Sequence, residues 1–318
     1  MNNRKIKLLI IDDSITMRET LSLIVNTAPD IEVVGKAADP YEAVKIMNRI
    51  KPDVITLDIE MPKMDGLTFL KKLMRQHPIP VIIMSSLTAK SAKITLRALE
   101  LGAVEIISKP FNKTIKTSDS NQFIINQIRR ASNAVVKSKT SNNVFSKTDK
   151  VKEKPQKQNS SKRIICIGAS TGGTEVISQI IQKTTINKPA IVIVQHMPPI
   201  FTKSFADRLS DYSNLISKEA EDGEILMDNH IYVAPGGMHL EIIKSNFNFK
   251  IHIFDGEHVN HVKPSIDITF ASIAKLNLQK TVGILLTGMG KDGALGLKKI
   301  RESGGKTIAQ DEPIAIAA

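Results

Sequence analysis

The first 110 residues carry charged and hydroxyl side chains at the ends of short apolar runs. Asp12 and Asp13 close the run Ile6–Ile11, Asp58 closes Val54–Leu57, Ser85 closes Val81–Met84, and Lys109 follows Val104–Ile107. If these runs are parallel strands, their ends share one sheet edge and the five residues converge. Carboxylates crowded together repel unless a divalent cation neutralises them, and oxygen-only ligation at a partly hydrated site suits Mg²⁺. A lysine opposite supplies a point charge for a phosphoryl oxygen, and a serine hydroxyl supplies a hydrogen bond. Any one of these carboxylates alone is an ordinary strand-end Asp. The ordered set points to phosphoryl chemistry.

A second constellation lies beyond residue 160. Ile164–Gly173 reads as a strand, a tight turn and a helix start, and Gly168-Ala-Ser-Thr-Gly172 fits the G-x-S-x-G pattern of a nucleophile elbow. Small neighbours let the turn expose the Ser170 hydroxyl, while helix N-terminal amides can stabilise a developing oxyanion. Two plainer readings of the glycines exist: close packing of helix on strand, or a phosphate seated on the turn. The lack of a P-loop Lys-Ser/Thr ending and of G-x-G-x-x-G weighs against the phosphate. Serine needs a base, and the chain has seven histidines. His77 lies in the first half, and His230 and His239 sit near polar turns; His252, His258 and His261 cluster loosely, without the spacing or cysteines of a metal site. His196 instead stands just past the run Ala190–Val194, one βαβ unit after Ser170 and so on the same sheet edge. A third run, Thr281–Leu286, leads into Gly288-Met-Gly-Lys-Asp-Gly293 and brings Asp292 there too. An ionised Asp can orient and stabilise a histidinium, so Ser170, His196 and Asp292 read as nucleophile, base and orienting carboxylate.

What must position both sets is an alternation of apolar runs and amphipathic segments. In the first half the strand-like runs, with Glu32–Lys36 as the second, are separated by helix-like Thr16–Asn26, Tyr41–Arg49, Leu67–Gln76, Ser91–Leu101 and Gln122–Val136. Such alternation demands crossover connections, hence a parallel sheet covered by helices. Five β-α units predict a flavodoxin-like doubly wound domain with function at the carboxyl ends of its strands. The pattern restarts with Arg163–Ile167, a helix over Gly173–Gln182 and Ala190–Val194, followed by strands near Ile231–Val233, Glu241–Ile243, Lys250–Phe254 and Thr281–Leu286. This second domain is again doubly wound α/β, with an antiparallel hairpin expected at residues 240–254. The expected boundaries are 1–137, a tether at 138–161, and 162–318.

Charge and cysteine content narrow the class. The net charge is +12, but residues 137–163 hold nine basic and two acidic residues and so account for +7 of it. That stretch is polar, with almost nothing to bury, and reads as a basic flexible linker rather than a DNA-binding domain. A DNA-binding regulator controlled by the first domain would need a helix-turn-helix after it, where strands and glycine turns stand instead. No nucleic-acid partner is expected. No apolar run approaches the roughly 20 residues of a membrane span, and Leu8–Ile11 is too short for a signal-peptide core, so no membrane insertion is expected either. The single cysteine, Cys166, cannot form an internal disulfide, which fits a cytoplasmic setting.

The segments Leu8-Ile-Ile-Asp-Asp-Ser14, Asp58–Gly66, Met84-Ser-Ser-Leu87 and Ser108-Lys-Pro110 resemble a two-component receiver domain. Ile167–Gly173, Gln195-His-Met-Pro198, Tyr232–Leu240, Lys263-Pro-Ser-Ile-Asp267 and Thr287–Gly293 resemble the catalytic domain of the chemotaxis protein-glutamate methylesterase family, as does the order Ser-His-Asp. The resemblance implies that Asp58 accepts a phosphoryl group. Asp13, Asp58 and the backbone carbonyl of Glu60 would bind Mg²⁺ with Asp12 in support, and Ser85 and Lys109 would bind the phosphoryl group and carry the switch. It further implies hydrolysis of glutamate γ-methyl esters on methyl-accepting chemoreceptors, with deamidation of glutamines and no cofactor for the ester reaction. Thr171 and Met289 would line the oxyanion neighbourhood, and a chemotaxis histidine kinase would be the phosphodonor. Members of the family continue some tens of residues past the segment matching Thr307–Gln310, whereas the sequence stops at Ala318; a weakened catalytic domain, at the limit a receiver-linked adaptor with an inactive esterase, is the alternative this raises.

Overall fold

The computed structural model describes residues 4–61, 63–86, 88–109, 118–136, 159–277, 281–288 and 290–311. They form two compact units, one on each side of residues 137–158. The expected tether therefore lies almost wholly outside the described residues. Its last three residues do not: the Asn159 carbonyl accepts from the Asp228 amide at 3.0 Å, Ser160 bridges to Met227, and Ser161 is buried with its hydroxyl accepting from the Ala190 amide at 2.9 Å.

In the first unit β1 (Ile6–Ile11), β2 (Ile31–Ala37), β3 (Val54–Asp58), β4 (Val81–Ser86) and β5 (Glu105–Lys109) form a parallel sheet in the order β2-β1-β3-β4-β5. This is the doubly wound flavodoxin-like order expected from the alternation. Leu8 to Ile11 are at most 1% exposed, because helices cover both faces and the strand must be apolar throughout. Helices α1 (Ile15–Val25), α2 (Pro40–Met47), α3 (Gly66–Gln76), α4 (Ala89–Leu101) and α5 (Ser118–Ser132) connect the strands or follow them. Their starts are written in the sequence: Ser14, Asp39, Asp65 and Thr88 each accept a backbone N–H of the first turn. The expected last helix was placed four residues late. It ends at Ser132, where the Ser132 hydroxyl and Asn133 Nδ2 both turn back and donate to the Arg129 carbonyl.

The second unit holds a parallel sheet in the order β13-β12-β6-β7-β9-β8, built from β6 (Ile164–Ala169), β7 (Ala190–Gln195), β8 (Ile216–Glu219), β9 (His230–Val233), β12 (Val282–Leu285) and β13 (Lys306–Ala309). The antiparallel hairpin is β10 (His239–Ser245) with β11 (Asn248–Phe254), pairing His239 with Phe254. Helices α6 (Gly173–Gln182), α7 (Phe201–Tyr212), α8 (Ile266–Lys275) and α9 (Ala294–Glu302) complete it. Phe270 and Ile273 of α8 pack with Val192, Leu240, Ile251 and Ile300 in one buried cluster, so α8 ties the hairpin to the sheet. From β6 the chain builds the sheet outward through β7 and later returns to β6's other side with β12. Residues after β6 and β12 therefore meet at a topological switch point, where open α/β sheets hold their sites.

Candidate functional site

In the first unit the expected convergence occurs. One carboxylate oxygen from each of Asp12, Asp13 and Asp58 lies within 4.8 Å of the others, a spacing and donor set that fit an oxygen-ligated divalent cation. The Lys109 ammonium reaches across from β5 to Asp12 at 2.6 Å and Asp58 at 3.0 Å. A cavity of about 290 Å³ opens over them, lined also by Glu60, Ser85, Ser91 and Ile94. The Glu60 N–H points at Asp58 Oδ1, 3.4 Å away, and Ser85 is bonded to the buried hydroxyl of Thr95 on α4 at 2.6 Å. Burial pushes the Asp58 carboxyl above its usual range; the Lys109 charge and hydrogen bond oppose this, and the Asp12 carboxylate adds to it. Two supports were not anticipated from sequence. Arg18 donates to the carbonyls of Asp12 (2.6 Å) and Asp13 (3.0 Å), and Gly66 passes so close to the Asp58 carbonyl that a Cβ there would overlap it.

In the second unit Ser170, His196 and Asp292 are joined in line. Ser170 Oγ lies 3.0 Å from His196 Nδ1, and His196 Nε2 lies 2.8 Å from Asp292 Oδ2. The ring is turned the opposite way from the chymotrypsin arrangement, in which Nε2 faces the serine. With its proton on Nε2, donated to Asp292, His196 presents an Nδ1 lone pair to the Ser170 hydroxyl. The backbone holds both partners: the Ser170 amide donates to the Thr287 carbonyl (3.0 Å) and the His196 amide to the Ala169 carbonyl (3.1 Å). Gly172, at φ +75°, makes the turn into α6, and Gly288 lies so close that a Cβ on it would sit 2.6 Å from that of Ser170. Thr171 is buried behind the turn, its carbonyl accepting from the Thr287 hydroxyl. Met289 lies outside the described residues, between Gly288 and Gly290. Cys166 is fully buried on β6, and burial pushes its thiol far up, so no thiolate competes with the serine.

Asp292 is held by more than its histidine. Oδ2 also accepts from the Ile266 amide (2.7 Å), while Oδ1 accepts from the Ser265 hydroxyl (2.7 Å), Asn260 Nδ2 (3.2 Å) and the Asp267 amide (3.3 Å). Burial pushes this carboxyl up, but the His196 hydrogen bond and charge, the Ser265 hydroxyl and the Ile266 amide outweigh burial and hold it below the usual range. Gln195 is a further missed contributor: its amide nitrogen donates to the carbonyls of both Ser170 (2.9 Å) and His196 (3.1 Å). A signal for Ser265 was present, since it precedes Ile266, Phe270 and Ile273 at the spacing of one helical face, as an N-cap should. The loose cluster of His252, His258 and His261 forms no metal-ligating group among the described residues. His252 pairs with Asp222 at 3.2 Å instead.

Comparison with known proteins gives consistent relationships. Residues 8–116 match the family model of the response regulator receiver domain, and residues 165–317 that of CheB methylesterase. A protein-glutamate methylesterase/protein-glutamine glutaminase of Escherichia coli strain K12 is 46% identical over 310 residues, 97% of this chain and 87% of that protein. The protein of the same name from Pectobacterium atrosepticum is 44% identical over the same shares. The crystal structure of the Thermotoga maritima CheB methylesterase catalytic domain is 42% identical, covering 48% of this chain and 82% of that one with a TM-score of 0.47.

Proposed function

The chain belongs to the CheB methylesterase family, and from that membership we propose that it hydrolyses glutamate γ-methyl esters on methyl-accepting chemoreceptors under the control of its receiver domain. The observation that carries this is the unbroken hydrogen-bonded line Ser170–His196–Asp292 in a chain that also bears the Asp12, Asp13, Asp58 and Lys109 cluster. His196 Nδ1 takes the Ser170 proton as Oγ attacks the γ-carbonyl, and the imidazolium formed is stabilised by Asp292. The same proton passes to the methoxide oxygen as methanol leaves, giving an acyl-serine. Water, deprotonated by His196, then releases the glutamate carboxylate. A receptor glutamine follows the same course with ammonia leaving. Thr171 and Met289, together with the amides that open α6, are assigned to the side of the site where the oxyanion develops. None of these steps calls for a cofactor.

In the receiver, an Asp58 carboxylate oxygen attacks the phosphorus of a phosphohistidine on the chemotaxis histidine kinase, the P–N bond breaks and the kinase imidazole leaves. Asp13, Asp58 and the Glu60 carbonyl, with Asp12 in support, would hold Mg²⁺, which would supply charge neutralisation for that transfer. Lys109 pairs with a phosphoryl oxygen, and Ser85 leaves Thr95 to donate to another. Release of Thr95 carries the switch into α4, and phosphorylation lifts a restraint on the esterase. The domain limits proposed are 1–137 for the receiver and 162–318 for the esterase, in the cytoplasm, where both chemoreceptor tails and kinase are found. Among the described residues no helix is long and apolar enough to cross a membrane. An inactive adaptor is not favoured, because such a chain has no need of an aligned serine, histidine and aspartate. Ser170→Ala tests the reading: the full chain should release methanol from methylated receptor membranes and the variant should not.

A further inference from the structure

We propose that Ser265 is a positioning residue for the ester hydrolysis, fixing Asp292 and limiting how strongly that carboxylate holds a proton on His196. The proposal rests on the assignment of Ser170, His196 and Asp292 as the reacting set. Ser265 is fully buried, and its hydroxyl has a single proton, which goes to Asp292 Oδ1 at 2.7 Å. The same oxygen accepts from the Ile268 amide at 3.4 Å, so the hydroxyl serves α8 as its cap and Asp292 as a donor at once.

The backbone that carries the hydroxyl is held from behind. The Ser265 amide donates to Nδ1 of His239 at 3.2 Å, and His239 Nε2 donates to the Glu257 carbonyl at 2.8 Å. One acceptor and one donor partner define a neutral ring, and His239 is itself fully buried against Phe254. A second histidine, outside the reacting set, thus sets the position of the group that holds the catalytic carboxylate.

Hydrogen bonds to a carboxylate favour its anion and draw charge from the oxygens. The Ser265 proton therefore leaves less charge on the oxygen facing His196 and weakens that oxygen's hold on the imidazolium. Other ionisable groups near Asp292 are His196 on the β7 side, Asp267 on α8, Lys291 on its own segment and His261 beside Asn260. Asp267 is already engaged by the Gly296 amide at 2.6 Å, and Lys291 and His261 are exposed. Ser265 is an uncharged donor, at 2.7 Å closer than the Asn260 amide at 3.2 Å, and its removal changes none of these charges.

The test is the pH dependence of kcat/KM for methanol release by the full chain, comparing Ser265→Ala and Ser265→Thr with wild type. The alanine variant should move the acid limb upward by roughly half to one pH unit and lower kcat, and threonine, which keeps the hydroxyl, should restore both. A lower rate with the limb unmoved, or a limb moved downward, overturns the proposal: Ser265 is then scaffold only. If circular dichroism shows Ser265→Ala unfolded, Ser265→Cys, a near-isosteric weak donor, is read in its place by the same criteria. Ser170→Ala is run alongside. Activity retained in that variant would overturn the triad assignment itself, whereas its loss with an unmoved limb in Ser265→Ala would overturn this proposal alone.

Discussion

Replacing Asp292 by asparagine removes a charge while keeping the shape, and the donors around the site decide which way the amide settles. Oδ2 faces two N–H groups, His196 Nε2 at 2.8 Å and the Ile266 amide at 2.7 Å. Oδ1 faces a rotatable hydroxyl at 2.7 Å, an invertible Asn260 amide at 3.2 Å and the Asp267 amide at 3.3 Å. An NH₂ at the Oδ2 position would meet the Ile266 N–H head-on, leaving donors unsatisfied at a cost of about 1–3 kcal/mol. At the Oδ1 position Ser265 and Asn260 can both turn to accept, and only the longer Asp267 N–H contact, at 3.3 Å, is lost. The oxygen of the new side-chain amide should therefore face His196 and keep the proton on Nε2. What remains to be lost is charge. Exchanging a charge-assisted for a neutral hydrogen bond, with the Coulomb stabilisation of the imidazolium, amounts to about 2–4 kcal/mol, or roughly 30- to 10³-fold in kcat. That is less than the ~10⁴ lost where an Asn forces the wrong tautomer in trypsin-like enzymes. Asp292→Asn should also exceed Asp292→Ala in activity, since alanine leaves Nε2 without an anchor. Steady-state methanol release by the three proteins decides it: an asparagine variant below alanine, or down by roughly 10⁴ or more, would refute the reasoning.

Gly288→Ala should cut kcat sharply with a small change in KM, because the new Cβ would lie 2.6 Å from that of Ser170 and push the nucleophile off His196; unchanged kcat would contradict the geometry. His196→Gln should cost about as much as Ser170→Ala, since the two act as one unit, and a thiol reagent should leave wild-type activity intact because Cys166 is buried. Asp58→Asn should raise the receiver's melting temperature at neutral pH without Mg²⁺. The folded-state carboxyl titrates above its unfolded value, so wild-type stability falls as pH rises through that window, and the gain should vanish below about pH 4. Asp292 works in the opposite sense. Its stabilisation, present above the ordinary carboxylate range, is lost as pH falls through its lowered folded-state titration.

Much of this was legible because both units put their working residues at the ends of parallel strands. Once Ile6–Ile11, Val54–Leu57 and Val104–Ile107 read as buried parallel strands, the meeting of Asp12, Asp13, Asp58 and Lys109 just past their ends followed from the sheet. The same logic joined Ser170, His196 and Asp292. Short edge strands were not legible: Ile216–Glu219 and Lys306–Ala309 have four residues each, with only Ser217 buried between them and no apolar-polar alternation. Helix α9 starts at Gly293 with no side-chain cap, which removed the usual signal. The supports of Asp292 escaped for another reason. Ser265, Asn260 and His239 act through single hydrogen bonds across 26 to 32 residues of sequence, a distance over which no periodicity carries information.

If one chain couples aspartyl phosphorylation to ester hydrolysis, methanol release from methylated receptor membranes must respond to the state of Asp58. Wild type and Asp58→Asn would be assayed with Mg²⁺, each with and without a small-molecule phosphodonor. The phosphodonor should accelerate the wild-type chain, while the variant should keep its basal rate and gain nothing from the phosphodonor. Equal acceleration of the variant, or a wild-type rate indifferent to phosphorylation, would contradict it.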